Sequence, residues 1–397
     1  MESQTLNFPK PIFCKVLERI KTGSISVYFP DGSQETFIGK QIGPRAHLEI
    51  INYRCLRRIV LGGDIGIAEG YMAGDWVSDN LAELLKLGVL NKHIFMGILS
   101  KPWIKFLLSR GFHAMHANTL RGSRRNISRH YDLGNKFYSL WLDESMTYSS
   151  AIFLNNKETI SEAQLNKYIR IANQLDLQPD DRVLDIGCGW GGFAVFAAKE
   201  YGCQVVGITL SAEQAAFAKD LISRSGLSRR IDIRIQDYRD CRETFDKIVS
   251  SEMFEAVGVK NWHTYCNMLQ KNIKMNGKIC LQIITIDKTN LCYYRKNPDF
   301  IQRYIFHGGV LPSFEEVKNV LLSSNLNIID SYYFGKSYAK TLNIWRRSFQ
   351  DNWISIKNLG FDERFYRMWN YYLSYCEAGF ECNNINVGQY TIKEKQK

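Results

Sequence analysis

Asp185 stands two residues before Gly187, the first of the glycines in residues 183–192 (VLDIGCGWGG), and this spacing limits what the chain can hold there. Gly187, Gly189 and Gly191 permit a tight turn and a close approach of backbone to ligand. The glycine turn of dinucleotide binders reads Gly-x-Gly-x-x-Gly and rests a pyrophosphate on a helix N-terminus. Here the spacing is Gly-x-Gly-x-Gly and an acid precedes it. A carboxylate at that place repels a pyrophosphate but pairs with an ammonium, so the residue types favour a ligand carrying an amino acid. Further on, Thr209 precedes a capping box at residues 211–214 (SAEQ), from which Gln214 can reach the ribose or the amino-acid part of such a ligand. Asp237 can accept from the exocyclic amine of an adenine and Tyr238 can offer it a stacking face. The bland alternatives are a solvated first-turn residue for Gln214 and an ordinary loop acid for Asp237. Glu255 follows Met253 and Phe254 directly after an apolar run and is a candidate base.

These residues need a scaffold, and the hydrophobic pattern supplies one. From about residue 160, helices alternate with short apolar strands: helix 160–176 and strand 182–186, helix 191–200 and strand 204–208, helix 211–224 and strand 231–235. Strands 247–251 and 277–284 follow, with a helix around 261–274 between them, and the runs 328–334 and 339–345 read as an antiparallel pair. Such alternation predicts a mostly parallel sheet with helices on both faces, because parallel strands need crossovers. Ligands in these sheets sit at the carboxyl ends of the strands. Strand, acid, Gly-x-Gly-x-Gly and helix together are the pattern of the α/β, Rossmann-like class I S-adenosylmethionine-dependent methyltransferases. Earlier, residues 24–29 and 35–38 flank a Pro30-Asp31-Gly32 turn, a hairpin signal, and residues 64–87 read as short helices. Residues 1–115 are thus expected to form a smaller α+β module, with a linker at 121–126 (RGSRRN).

The net charge of +11 points to a polyanionic partner, nucleic acid or an anionic membrane. Residues 84–131 contain no acid but nine Lys or Arg, and removing these nine would leave a surplus of only +2. The same stretch carries Phe95, Trp103, Phe106 and Phe112, so it reads either as an interfacial membrane segment or as a core-facing helix with a basic outer face. No apolar stretch reaches the ~18 residues of a membrane span. Residues 1–10 (MESQTLNFPK) lack the apolar core of a secretion signal. Ten Cys without a CxxC pair predict reduced cytoplasmic thiols and no metal site.

Several stretches together resemble one family: 130–143 (HYDLGNKFYSLWLD), 146–150 (MTYSS), 184–191 (LDIGCGWG), 209–214 (TLSAEQ), 252–258 (EMFEAVG), 304–312 (YIFHGGVLP) and 338–342 (YAKTL). They are similar to cyclopropane-fatty-acyl-phospholipid synthases and their mycolic-acid-modifying relatives, from about residue 20 to about residue 390. The resemblance implies that residues 116–397 form the catalytic domain, with helical acyl-binding insertions, and that the N-terminal module is membrane- or dimer-related. It implies that Tyr148 and Ser149 contact S-adenosylmethionine, with Asp185, Gly187 and Gly189 along the turn. Thr209, Leu210 and Gln214 would hold the sugar side, and Asp237 and Tyr238 the adenine side. It further implies a bound bicarbonate acting as base, held by Glu255, Tyr338 and the backbone of Ser150 and Ile286. The family often has Cys where Ser150 stands, and a His where this chain has Ile284. Ile284 offers no side-chain donor, so the anion site is expected to be weaker or differently built, and activity to depend on added bicarbonate.

The chemistry is demanding in a way these residues suit. An isolated alkene is a poor nucleophile, so the donor must be held in line with its π bond. Methyl transfer leaves a carbocation that water would capture, and aromatic faces can shelter it. The expected reaction is methylene transfer to unsaturated phospholipid acyl chains by a cytoplasmic, peripherally membrane-bound enzyme, with a homodimer implied by the family resemblance. Methyl branching without ring closure is the alternative within the class. An RNA-binding methyltransferase is the rival outside it, disfavoured because the basic run carries aliphatic more than stacking residues.

Overall fold

The structure, a computed structural model, describes residues 10–94 and 133–395. Most of the acid-free basic stretch, the 121–126 segment and the start of the 130–143 motif lie outside the described residues. The N-terminal hairpin pairs β1 (Thr22–Tyr28) with β2 (Gln34–Ile38) across Gly32, whose φ of +80 suits the turn. β3 (Gln41–Ile50) adds on the other side of β1 in parallel, and β4 (Trp76–Val77) closes a sheet of order β2-β1-β3-β4. The helix Arg54–Met72, broken at Gly63 (φ 57, ψ −134), and the helix Leu81–Leu90 accompany this sheet.

The larger sheet comprises β5 (Arg182–Ile186), β6 (Gln204–Thr209), β7 (Ile231–Ile235), β8 (Phe245–Ser251), β9 (Ile273–Ile286), β10 (Leu326–Tyr333) and β11 (Ile385–Glu394). Its order is β10-β11-β9-β8-β5-β6-β7, with β5 to β9 parallel and β11 antiparallel to both its neighbours. Val183, Leu184 and Ile186 of β5, and Ile279, Leu281 and Ile283 of β9, are buried, as expected where helices cover both faces. The helix Ile160–Leu175 opens with a full capping box between Thr159 and Glu162.

One expected element is different. Residues 339–345 are not a strand but lie in the helix Gly335–Asp351, where Ala339, Leu342, Trp345 and Phe349 are buried at spacings of three and four. The run at 328–334 does become β10, but its partner is β11, near the C-terminus. One hydrophobic cluster joins the smaller sheet to the C-terminal helices and reaches the larger sheet at Val387, while two further clusters cover the larger sheet. The helix Glu363–Glu381 bridges the two sheets, its Asn370 donating to the Tyr71 hydroxyl at 2.8 Å.

Candidate active site

At the carboxyl ends of β5, β6 and β8 lies a cleft enclosing about 1060 Å³ of empty space, its open mouth included. The chain leaves β5 toward β6 and β7 on one side and returns to β8 and β9 on the other, and the diverging loops leave a crevice there. Tyr148, Ser149, Asp185, Gly187, Gly189, Thr209, Leu210, Gln214 and Tyr238 all line it. Asp237 does not.

The glycine turn is tied to β6 by bonds from the Gly187 and Cys188 N–H groups to the Ile208 carbonyl, at 2.9 and 3.1 Å. Gly189 has φ +55, and a Cβ built on it would meet nothing within 4 Å, so the turn leaves a cradle facing the cleft. Asp185 is buried at the end of β5 and receives no hydrogen bond from the described residues. Burial raises its pKa, and the nearby Lys167 opposes that rise. Lys167 is wholly buried, and its pKa is lowered by burial against the pull of Glu252, Asp143 and Asp185. Its ammonium donates to Ser149 Oγ at 2.7 Å. Sequence reasoning missed Lys167, although a signal exists: it lies on the same helix stripe as Ala163, Ile171 and Leu175, a cation on an inward face.

The capping box at 211–214 is only half made. Ser211 Oγ accepts from the Gln214 N–H at 3.3 Å, but the Gln214 side chain turns back and its Oε1 accepts from the Thr209 hydroxyl at 2.8 Å. This bond pins the amide and directs its NH₂ group away from Thr209. Asp237 is buried, with both carboxylate oxygens accepting from the Arg239 guanidinium at 2.8 and 2.7 Å.

Beside this cleft lies a second, tighter constellation. Glu252 lines the cleft just after β8. Its Oε1 accepts from the Ser150 N–H at 2.9 Å and from Gln282 Nε2 at 2.8 Å, and its Oε2 accepts from the Tyr338 hydroxyl at 2.6 Å. Gln282 is in turn oriented by Gln389, 3.0 Å away. Burial raises the Glu252 pKa, while the bonds from Tyr338, Ser150 and Gln282 and the charge of Lys167 hold it down. The sequence reading quoted Glu252 within a motif but gave it no role.

The other groups expected around an anion are placed differently. Glu255 Oε1 accepts from the Ile284 N–H, and its buried Oε2 has no partner among the described residues. Burial and the neighbouring Glu252 push the Glu255 pKa up to about 8, so this carboxyl keeps its proton at neutral pH. The Ile286 N–H is not available to an anion, because it donates to the Pro312 carbonyl at 2.9 Å. Tyr338 and Ser150 do face a carboxylate, but that carboxylate belongs to Glu252.

Aromatic rings complete the wall. Tyr148 packs against Tyr138, Trp141 and Trp345 at 5.4 to 5.5 Å, and its hydroxyl is 2.8 Å from that of Tyr372. Of the rings in the C-terminal third, Trp345, Trp369, Tyr371 and Tyr372 are buried, whereas Tyr332 and Tyr333 are exposed.

S-adenosylmethionine fits these residues: the open cradle at Gly189 and an Asp185 carboxylate that no described residue hydrogen-bonds suit an amino-acid moiety. Bicarbonate does not fit. The Ser150 and Tyr338 donors that would hold it are engaged by Glu252, the Ile286 N–H is engaged elsewhere, and a second anion would stand against the Glu252 charge.

Residues 118–390 match the family model described as mycolic acid cyclopropane synthetase. The cyclopropane-fatty-acyl-phospholipid synthase of Escherichia coli is 36% identical over 356 residues, 87% of each chain. The tuberculostearic acid methyltransferase of Mycobacterium tuberculosis is 35% identical over 346 residues, 85% of this chain and 80% of that protein. Both alignments are longer than the family match and so reach into the N-terminal module. A crystal structure of a mycolic acid cyclopropane synthase complexed with SAH and CTAB superposes with a TM-score of 0.65 at 30% identity, covering 68% of this chain and 98% of that one.

Proposed function

Because the chain belongs to the mycolic acid cyclopropane synthetase family, we propose that it transfers a methylene group from S-adenosylmethionine to the double bond of unsaturated phospholipid acyl chains, closing a cyclopropane ring. The observation that carries this reading is that one cleft is lined by both a carboxylate placed for an ammonium, Asp185, and a carboxylate placed for a proton, Glu252. When bound, S-adenosylmethionine supplies an electrophilic methyl on a cationic sulfur. Asp185 pairs with the amino-acid ammonium, the Thr209–Gln214 pair holds the sugar, and Tyr238 faces the adenine, with Asp237 preceding it in sequence. Tyr148, Trp141 and Trp345 exclude water and present ring faces to the cationic chain.

The substrate lies in a bilayer, and no helix of the described residues is long and apolar enough to cross one. The enzyme therefore docks at the lipid surface and admits the chain sideways. The basic stretch at 84–131 and the exposed Ile38 and Ile42 of the N-terminal module support a docking or dimer role for that part.

Methyl branching is the second reading, favoured by the similarity to the tuberculostearic acid methyltransferase of Mycobacterium tuberculosis. Both outcomes pass through the same first methylated cation; branching needs a 1,2-hydride shift onto that cationic carbon before the methyl group loses its proton, which leaves an exocyclic methylene in place of a ring. Lipid mass spectrometry of cells expressing the protein, fed an unsaturated fatty acid, tests the proposal. A gain of one CH₂ with high-field ring protons by NMR supports ring formation, and vinylic or branched methyl signals support the second reading. Unchanged lipids contradict both.

A further inference from the structure

We propose that Glu252 is the base of the reaction: its carboxylate occupies the anion cage formed by Ser150, Gln282 and Tyr338, and the enzyme works without bicarbonate. This rests on the methyl-transfer reading above and names the group that takes the proton.

The geometry points to Glu252 by counting lone pairs. A carboxylate has about four acceptor sites. Both sites of Oε1 are engaged, by the Ser150 N–H at 2.9 Å and Gln282 Nε2 at 2.8 Å. On Oε2 the Tyr338 hydroxyl takes one site, at 2.6 Å, and among the described residues nothing takes the other. That remaining lone pair belongs to a residue lining the cofactor cleft, whereas Glu255 is not among the lining residues.

The backbone argues the same way. Glu252 has φ +54, a left-handed conformation that is strained for a residue with a Cβ. Its N–H is held by the Gln282 carbonyl at 2.7 Å, and its side chain by three donors. A strained position so fully restrained aims the carboxylate at one place.

The step balances. The alkene π pair forms a bond to the donor's methyl carbon as the S–C pair leaves with sulfur, and a cation remains on the neighbouring chain carbon. Glu252 Oε2 takes a proton from the new methyl group. The freed C–H pair then bonds to the cationic carbon and closes the ring. Glu252 later returns the proton to solvent.

The test uses the full chain, its Glu252→Gly and Glu252→Gln variants, and ¹³C-labelled bicarbonate. Glycine relaxes the left-handed backbone, so Glu252→Gly should fold while emptying the cage. Wild-type turnover on unsaturated phospholipid vesicles should be the same in decarbonated buffer and with bicarbonate added. Glu252→Gly should lose at least ~10²-fold in decarbonated buffer and recover part of it with bicarbonate. Glu252→Gln should lose as much without recovery, because its amide still fills the cage. Independently of turnover, ¹³C NMR should detect bicarbonate bound to Glu252→Gly but not to wild type. Bicarbonate bound by wild type, bicarbonate-dependent wild-type turnover, or failure of Glu252→Gly to bind the ion would overturn the assignment. If no protein alters any lipid, the methyl-transfer reading falls, and the NMR result still decides what fills the cage.

Discussion

The Tyr338 hydroxyl donates to Glu252 Oε2 at 2.6 Å, although the two residues are 86 positions apart in sequence. One comes from a helix that follows the sheet's outer strand and the other from the turn after β8. Their bond joins the aromatic wall to the cofactor cleft. It also lowers the proton affinity of a carboxylate that burial would otherwise raise further.

Tyr338→Phe removes this donor and keeps the ring. The Glu252 pKa should rise further, so the acidic limb of the pH–rate profile should move to higher pH, with turnover at neutral pH falling roughly 10- to 100-fold. S-adenosylmethionine affinity should change little. Measuring kcat against pH for both proteins checks this, and coincident profiles would detach Tyr338 from the base.

Gly189→Val strains a backbone at φ +55 and fills the cradle. Binding of S-adenosylmethionine should weaken at least tenfold, ~1.4 kcal/mol. Calorimetry on wild type and variant measures it, and equal affinities would place the ligand elsewhere.

What the sequence made legible follows from the range of the interactions. The strands at 182–186 and 231–235 and the glycine turn depend on neighbours in sequence, and all appear at the expected residues. The helix Gly335–Asp351 was misread because residues 339–345 were matched to the wrong period, although the burial of Ala339, Leu342, Trp345 and Phe349 follows helical spacing. β11 carries Gly388 and Gln389 in its middle and was passed over, since its strand character comes from pairing with β9 and β10. Glu252 was invisible as a site residue for the same reason: its donors come from residues 150, 282 and 338. The resemblance implied a bicarbonate there, whereas the Ser150, Gln282 and Tyr338 donors all point at Glu252.

Glu255 gives a pH signature in stability. Burial raises its pKa from 4.5 to about 8, so across that window the folded protein holds a proton that the unfolded chain has lost. Stability from this group is therefore full at low pH and declines as pH rises toward the folded value. Glu255→Gln has no such proton and should escape the decline. Its Tm should gain several degrees on wild type between about pH 4 and about pH 8. Parallel Tm curves would mean that Glu255 is ionised in the folded state.

Changing Arg121, Arg124 and Arg125 together to Glu should release the protein from anionic vesicles. Each cation near such a surface is worth ~1 kcal/mol, and salt should weaken wild-type binding through screening. Cofactor binding should persist, since these residues lie outside the cofactor motifs. Sedimentation with vesicles at low and high salt decides it, and unchanged sedimentation of the variant would move the dock to another part of the chain.

The most direct test of methylene transfer uses S-adenosylmethionine with a fully deuterated methyl group, unsaturated phospholipid vesicles and the purified protein. Mass spectrometry of the released acyl chains should show the gain of one carbon carrying two of the three deuterium atoms, the third having left with the base. Retention of all three deuterium atoms, or label that never reaches lipid, would contradict the account.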